Sequence, residues 1–250
     1  MRSRRSIDGH NRGRIATVAG AGSPAPVTPV TIFGSQLQEW WRADLGITVA
    51  TGVSSWLGQV SGTDFAQGTG ANQPAYDATG GPNGTAKMTF DGSNDSLAAT
   101  LARTAPGTLR QNIIWVFQQL SWNVNEPIFN DASATLAVRQ IGLTPALSIF
   151  GGTIDRANNN ALALSTWARG KATFANSTND ALKLAATNQT ASATSGNTAG
   201  TGPLIGRNAG ATLFGHFELA EVMLVTGAIT AQMDTDADAY ITARYGAGLV

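Results

Sequence analysis

The stretch His216-Phe217-Glu218-Leu219-Ala220-Glu221-Val222-Met223-Leu224-Val225 decides the fold class. Its residues read as one long β-strand. Successive side chains of a strand point to opposite faces. One row then holds Phe217, Leu219, Met223 and Val225, and the other holds Glu218, Ala220, Val222 and Leu224. Glu221 falls in the first, apolar row. A second stretch, residues 111–117 within a strand predicted over 111–122, is apolar on both faces, as a central strand of a two-layer sandwich must be.

Working outward, short strands are predicted at residues 31–34, 53–60, 86–90, 96–101, 127–130, 136–141 and 146–150, then at 171–175, 181–186 and 203–206. Gly, Asn, Asp, Ser and Thr separate them. Spacings near ten residues point to a sandwich or barrel rather than βαβ units. Asn179-Asp180 marks a hairpin turn between 171–175 and 181–186. Residues 62–85 and 187–202 read as long polar loops. One helix is predicted near the C-terminus: Thr230 is its N-cap, Met233, Ala237, Tyr240, Ile241 and Tyr245 form its apolar stripe, and Gly246 ends it. Asp234, Asp236 and Asp238 should face solvent, and the narrow stripe should lie flat on one edge of a sheet.

Composition excludes several classes. The chain has 250 residues, 42% hydrophobic and only 13% charged, with six Trp and no Cys. That is enough apolar matter for a sizeable core, and too little charge for a charged coiled coil. A disulfide scaffold, a zinc-thiolate site and a cysteine nucleophile are ruled out. No apolar run is long enough to span a bilayer. Net charge is zero but uneven: residues 1–14 carry Arg2, Arg4, Arg5, Arg12 and Arg14 against Asp8, a net +4. The remainder holds 11 basic and 15 acidic groups, a net −4. No apolar segment follows the basic head, so a cleaved signal is not expected. Residues 1–30, rich in Gly and Pro, are predicted to form an extended anchoring arm with nothing apolar to bury, held by other chains. Residues 31–250 form the body.

Four ordered segments resemble the concanavalin A-like lectin/glucanase superfamily, in particular its laminin-G-like domains from phage and bacterial surface proteins. They are residues 38–44 with 53–59, 73–76 with 88–97, 205–207 with 214–222, and 240–246. The resemblance implies an all-β, two-sheet antiparallel jelly-roll sandwich, whose concave face binds glycans in some relatives.

Glucanases of that superfamily carry close carboxylates on one strand, because two must flank the scissile bond. The nearest approach here is Glu218 and Glu221, which regular alternation sets on opposite faces. Glu221 is therefore read as structural, paired with an arginine such as Arg42 or Arg207. His216 lacks recognisable triad partners, His10 lies in the arm, and no phosphate loop is present. Asp91, Asn94 and Asp95 could supply oxygens to calcium or could simply close a tight turn on their own backbone. Trp40, Trp41, Trp56 and Trp115 are assigned to the core. Trp122 and Trp167 flank polar loops and are the candidate sugar contacts.

These observations predict no catalytic residues, no metal and no cofactor. The reading they support is a non-enzymatic virion protein, a head-decoration, head-fibre or tail-associated subunit of a bacteriophage, bound to other virion proteins through residues 1–30. It is expected to be a homo-oligomer, with no membrane contact and no specific nucleic acid. The alternative is a glycan-binding lectin module that attaches to a bacterial surface polysaccharide.

Overall fold

The computed structural model describes residues 27–101, 110–134, 136–143, 146–151, 154–159, 162–175, 180–184, 187–190 and 202–249. They form two antiparallel sheets packed face to face, the predicted jelly-roll-like sandwich. The first sheet has eight strands: Thr187–Thr190, Ala181–Leu184, Trp167–Phe174, Gln111–Gln119, His216–Thr226, Lys87–Asp91 and Ala75–Asp77 in spatial order, with Leu37–Arg42 also paired to His216–Thr226. The second has nine: Ile154–Asn159, Leu147–Gly151, Leu136–Gln140, Pro127–Asp131, Pro203–Ile205, Leu97–Ala99, Asp64–Ala66, Val53–Leu57 and Ile47–Val49.

Between the sheets lies the main core, which includes Trp41, Trp56, Phe65, Phe90, Trp115, Phe117 and Phe217. A second apolar cluster sits on the other side of the first sheet. Here helix α2 (Ala231–Tyr245) packs Ala237, Tyr240, Ile241 and Tyr245 onto Trp40, Ile114, Val116 and Met223. The first sheet is therefore helix-backed, and we call the other the facing sheet. Thr230 accepts from the Met233 amide as N-cap and Gly246 takes φ 88° at the C-terminus, both as predicted. The helix covers the central strands rather than an edge. Asp234 and Asp238 are also not simply solvated: Asp234 pairs with Lys171 (2.6 Å) and Lys183 (3.2 Å), and Asp238 pairs with Arg169.

Three further kinds of local prediction fail. Residues 31–34 are not a strand but belong to helix α1 (Pro29–Phe33) and the 3₁₀ turn Gly34–Gln36. Thr28 and Thr31 form a reciprocal capping box and Pro29 occupies the first turn, a start signal that outweighs β-branched residues. Residues 62–85 hold the short strands Asp64–Ala66 and Ala75–Asp77, and Thr187–Thr190 extends the helix-backed sheet by one strand.

The third failure concerns the deciding strand. Its register with Gln111–Gln119 shifts between Leu219 and Glu221, so Ala220 is an extra residue. Such a bulge changes which face later side chains occupy. Phe217 and Leu219 face the main core, but beyond the bulge it is Val222 and Leu224 that do so. Ala220, Met223 and Val225 face α2.

Glu39, fully buried, ties down the connection after Val53–Leu57. Its carboxylate accepts from the Val60 and Ser61 amides (2.7 and 3.0 Å), from the Ser61 hydroxyl (2.5 Å) and from the Thr63 amide (3.3 Å). A Cβ at Gly58 would collide with this carboxylate, so only glycine passes there.

Candidate functional site

The most informative concavity is a groove of about 230 Å³ on the outer face of the facing sheet. Its floor follows from strand alternation. Leu136 and Val138 point into the main core, so Ala137 and Arg139 point outward. Ala137 is registered between Asn130 and Phe150 on the neighbouring strands, and these three make a cross-strand row. The Arg139 guanidinium lies over the Phe150 ring, 4.3 Å from its centroid.

One wall is the loop between Pro203–Ile205 and His216–Thr226. Asn208 builds it: its Oδ1 accepts from the Thr212 and Leu213 amides (2.8 and 3.2 Å), and its Nδ2 donates to the Thr212 hydroxyl (2.9 Å). Leu213, Ala209 and Gly210 complete that side. Two glycines seat the loop. At Gly206, φ 80°, a Cβ would stand 2.5 Å from the Phe90 ring, and at Gly215 it would strike the Pro127 carbonyl. Asn125 and Ala134 line the far side.

Three non-glycine residues in or beside the groove, Asn125 (φ 61°), Ala134 (φ 55°) and Ala211 (φ 51°), occupy the left-handed region. Each alanine there costs about 1 kcal/mol, and such strain concentrates at functional sites.

The other hollows are less suited to a ligand. A cavity of about 30 Å³ between the sheets, walled by Trp41, Phe65, Phe129 and Phe174, is too small for a sugar. A shallow hollow of about 380 Å³ along α2 is lined by Val27, Asp236, Ala239, Tyr240 and Ala243.

The predicted site residues fall elsewhere. Trp122 is partly buried against the main core, whereas Trp167 packs into the cluster under α2. They lie on opposite sides of the helix-backed sheet, and neither lines the groove. Arg2, Arg4, Arg5, Arg12 and Arg14 lie outside the described residues.

Asp91, Asn94 and Asp95 form the tight turn. Asp91 Oδ1 accepts from the amides of Ser93 (2.8 Å), Asn94 (3.2 Å) and Asp95 (3.4 Å), and Asp95 returns a carboxylate oxygen to the Asp91 amide (3.0 Å). Burial, with Asp91 nearby, pushes the Asp95 carboxyl up to about 6. Among the described residues no group of three His, Cys, Asp or Glu is placed to hold a metal.

Glu221 is structural, but its partners are not arginines. It accepts from Trp40 Nε1 (2.5 Å), the Tyr240 hydroxyl (2.8 Å) and the Tyr245 hydroxyl (2.5 Å). Complete burial pushes its carboxyl up, against these hydrogen bonds. The bulge at Ala220 also places Glu218 and Glu221 on the same, helix-side face, not on opposite faces. Glu218 there binds Lys87 (2.5 Å) and Gln118 (3.3 Å).

Glu126, between the groove-lining Asn125 and Pro127 in sequence, is buried, which raises its carboxyl, while a 2.6 Å bond from Asn123 opposes the shift. Ser121 Oγ stands 3.2 Å from His216 Nδ1.

No protein-family model and no curated protein matches the chain. Solved structures share its fold. The Trypanosoma rangeli sialidase bound to a difluorinated KDN superposes with a TM-score of 0.60 at 12% identity, over 88% of this chain and 36% of that one. The same sialidase with sialic acid gives 0.57 at 10% identity, over 88% and 35%. A mutant GH54 α-L-arabinofuranosidase soaked with 4-nitrophenyl α-L-arabinofuranoside gives 0.59 at 12% identity, over 77% and 51%. The chain spans about a third of the sialidase and half of the arabinofuranosidase. At these identities the likeness establishes the β-sandwich fold.

Two expectations are corrected here. The virion structural role is not borne out: the solved structures that share this fold are parts of glycoside hydrolases. The assignment of the chain as a non-enzyme is overturned by the same neighbours, and its geometric premise, Glu218 opposite Glu221, fails at the bulge.

Proposed function

We propose that this chain is a carbohydrate-binding β-sandwich and that the groove between Phe150, Arg139 and the Asn208 wall is its recognition surface. The observation that carries the reading is the groove's lining: three asparagines, one arginine on an aromatic ring, and small or aliphatic side chains. Few, well-placed polar groups in an apolar concavity are what orient a small ligand. Amide and guanidinium groups match the paired donors and acceptors of sugar hydroxyls, while Leu213 and Ala137 offer apolar surface to a ring's C–H face. The size of the groove suits one sugar ring. The sugar ligands of the sialidase and arabinofuranosidase structures favour the same class.

Cleavage of the bound glycan is the second reading, favoured by those hydrolases. One experiment addresses both: titration calorimetry against a panel of oligosaccharides, with reducing ends assayed in the same samples. Binding that Asn208→Ala and Arg139→Ala both weaken supports the groove, and released reducing ends would add hydrolysis. A panel with no binder sinks the reading.

A further inference from the structure

We propose that Gln119, Glu126 and Gln140 form a calcium site at the end of the sandwich where strand Gln111–Gln119 leaves the helix-backed sheet. The three side chains are 1%, 7% and 0% exposed. Each ends in a buried oxygen, Gln119 Oε1, Glu126 Oε2 or Gln140 Oε1, that accepts no hydrogen bond from the protein. Such an atom is costly to bury, and three at one end of a core call for a shared partner. Strand alternation turns both glutamines into the space between the sheets. Gln119 follows Phe117 and is registered with Phe217, whereas Gln140 follows Val138 and is registered with Leu147, all four in the main core. Glu126 links them. Its carbonyl accepts from the Gln140 amide (2.9 Å), and the His216 backbone amide draws on its carboxyl. The carbonyl of that same His216 accepts from Gln119 Nε2 (3.2 Å).

The local hydrogen bonds fix which atoms are left over. Gln119 Nε2 donates to the Ser121 and His216 carbonyls (2.9 and 3.2 Å), and Gln140 Nε2 donates to the Gly142 carbonyl. Turning either amide over would set oxygen against oxygen, so the free atom is the acceptor in both. Glu126 Oε1 already accepts from Asn123 Nδ2 (2.6 Å), which leaves Oε2. One carboxylate and two amide carbonyls make a hard, all-oxygen donor set, the kind calcium takes with tolerant geometry. Magnesium suits it less, because it keeps several waters and demands a regular octahedron. The rival is a proton on Glu126, which burial favours. A protonated carboxyl donates only once, however, so it would satisfy one amide oxygen and leave the other bare. The His216 ring is engaged with Ser121 Oγ through Nδ1 (3.2 Å). Calcium here would brace residues 120–126, the connection that crosses from one sheet to the other and carries the groove residue Asn125. With a single carboxylate, affinity should be weak, about 10⁻⁴–10⁻³ M.

The test uses the full chain, stripped with a chelator and exchanged into metal-free buffer. It is melted alone, with about 10 mM calcium chloride, and with sodium or magnesium chloride at equal ionic strength, and calcium is titrated by calorimetry. Wild type is expected to melt about 3–6 °C higher with calcium and not with the other salts. Glu126→Gln should weaken calcium binding about tenfold or more and remove most of that rise. Gln140→Met and Gln119→Met should each reduce it with the charge intact, and they carry the test if circular dichroism shows Glu126→Gln unfolded. Asp91→Asn, which alters the other cluster of oxygens, should keep the rise. No calcium-specific rise, an equal rise with sodium or magnesium, or a rise that survives all the folded site variants overturns the proposal. So does a rise lost only in Asp91→Asn, which would place the ion at the turn. None of these outcomes bears on whether the groove binds a sugar.

Discussion

The two outer faces of the sandwich use polar groups in opposite ways. On the helix side, among the described residues, Glu221 is bound by Trp40, Tyr240 and Tyr245, Glu218 by Lys87, and Asp234 by two lysines. On the facing sheet, Arg139 lies on a ring at the mouth of a groove, and neighbouring backbone is held in left-handed conformations. The helix side turns polarity into attachment of an element. The groove side holds strain and concavity that packing alone does not require. The buried carboxylates of the helix side are thus a poor guide to function.

The largest effect should come from breaking the helix side. Glu221→Ala leaves three buried donors without an acceptor and is expected to lower stability by about 3–5 kcal/mol in denaturant unfolding, with groove binding unchanged in whatever folds. Loss of glycan binding at full folding would show that the two faces are coupled.

Next comes the turn that joins the sheets. Asp95 has a folded-state value of about 6 against 3.8 for the unfolded chain, so protonation favours the folded form. Its stabilising contribution is complete below about 4 and is lost as pH rises through 6, at most about 3 kcal/mol. Asp91 and Asp234, lowered in the fold, act in the opposite sense. The measurement is therefore the wild type minus Asp95→Asn difference between pH 4 and 7, where the variant should gain at pH 7.

Asn208→Ala should cost about 1–2 kcal/mol in stability by freeing the Thr212 and Leu213 amides, and should weaken glycan binding more than Glu221→Gln does. Ala211→Gly is the smallest change. It relieves left-handed strain, raising the melting point by a degree or two (up to about 1 kcal/mol), while loosening the wall and slightly weakening the ligand. If both quantities rose together, the strain at Ala211 would have no part in binding.

Much of the architecture was legible in the sequence. Alternation and turn residues located most long strands, and the Thr230 and Gly246 caps bounded α2. The face of Glu221 was not legible, because a single extra residue at Ala220 inverts a period-two pattern without any mark in composition. The groove is lined by none of the six tryptophans, the residue type that marks candidate sugar contacts in the sequence. Its signal was there in the outward phase of two predicted strands, where Arg139 and Phe150 are the large side chains. Their meeting depends on the diagonal between neighbouring strands, which no spacing along the chain reveals.

Glu39 has one more consequence. A chain without cysteine still needs staples where a long connection reverses, and here one carboxylate binds three amides and a hydroxyl across residues 60–63. Such a staple involves no electron transfer. A reductant that would open a disulfide leaves it closed, and the same connection forms in oxidising and in reducing surroundings.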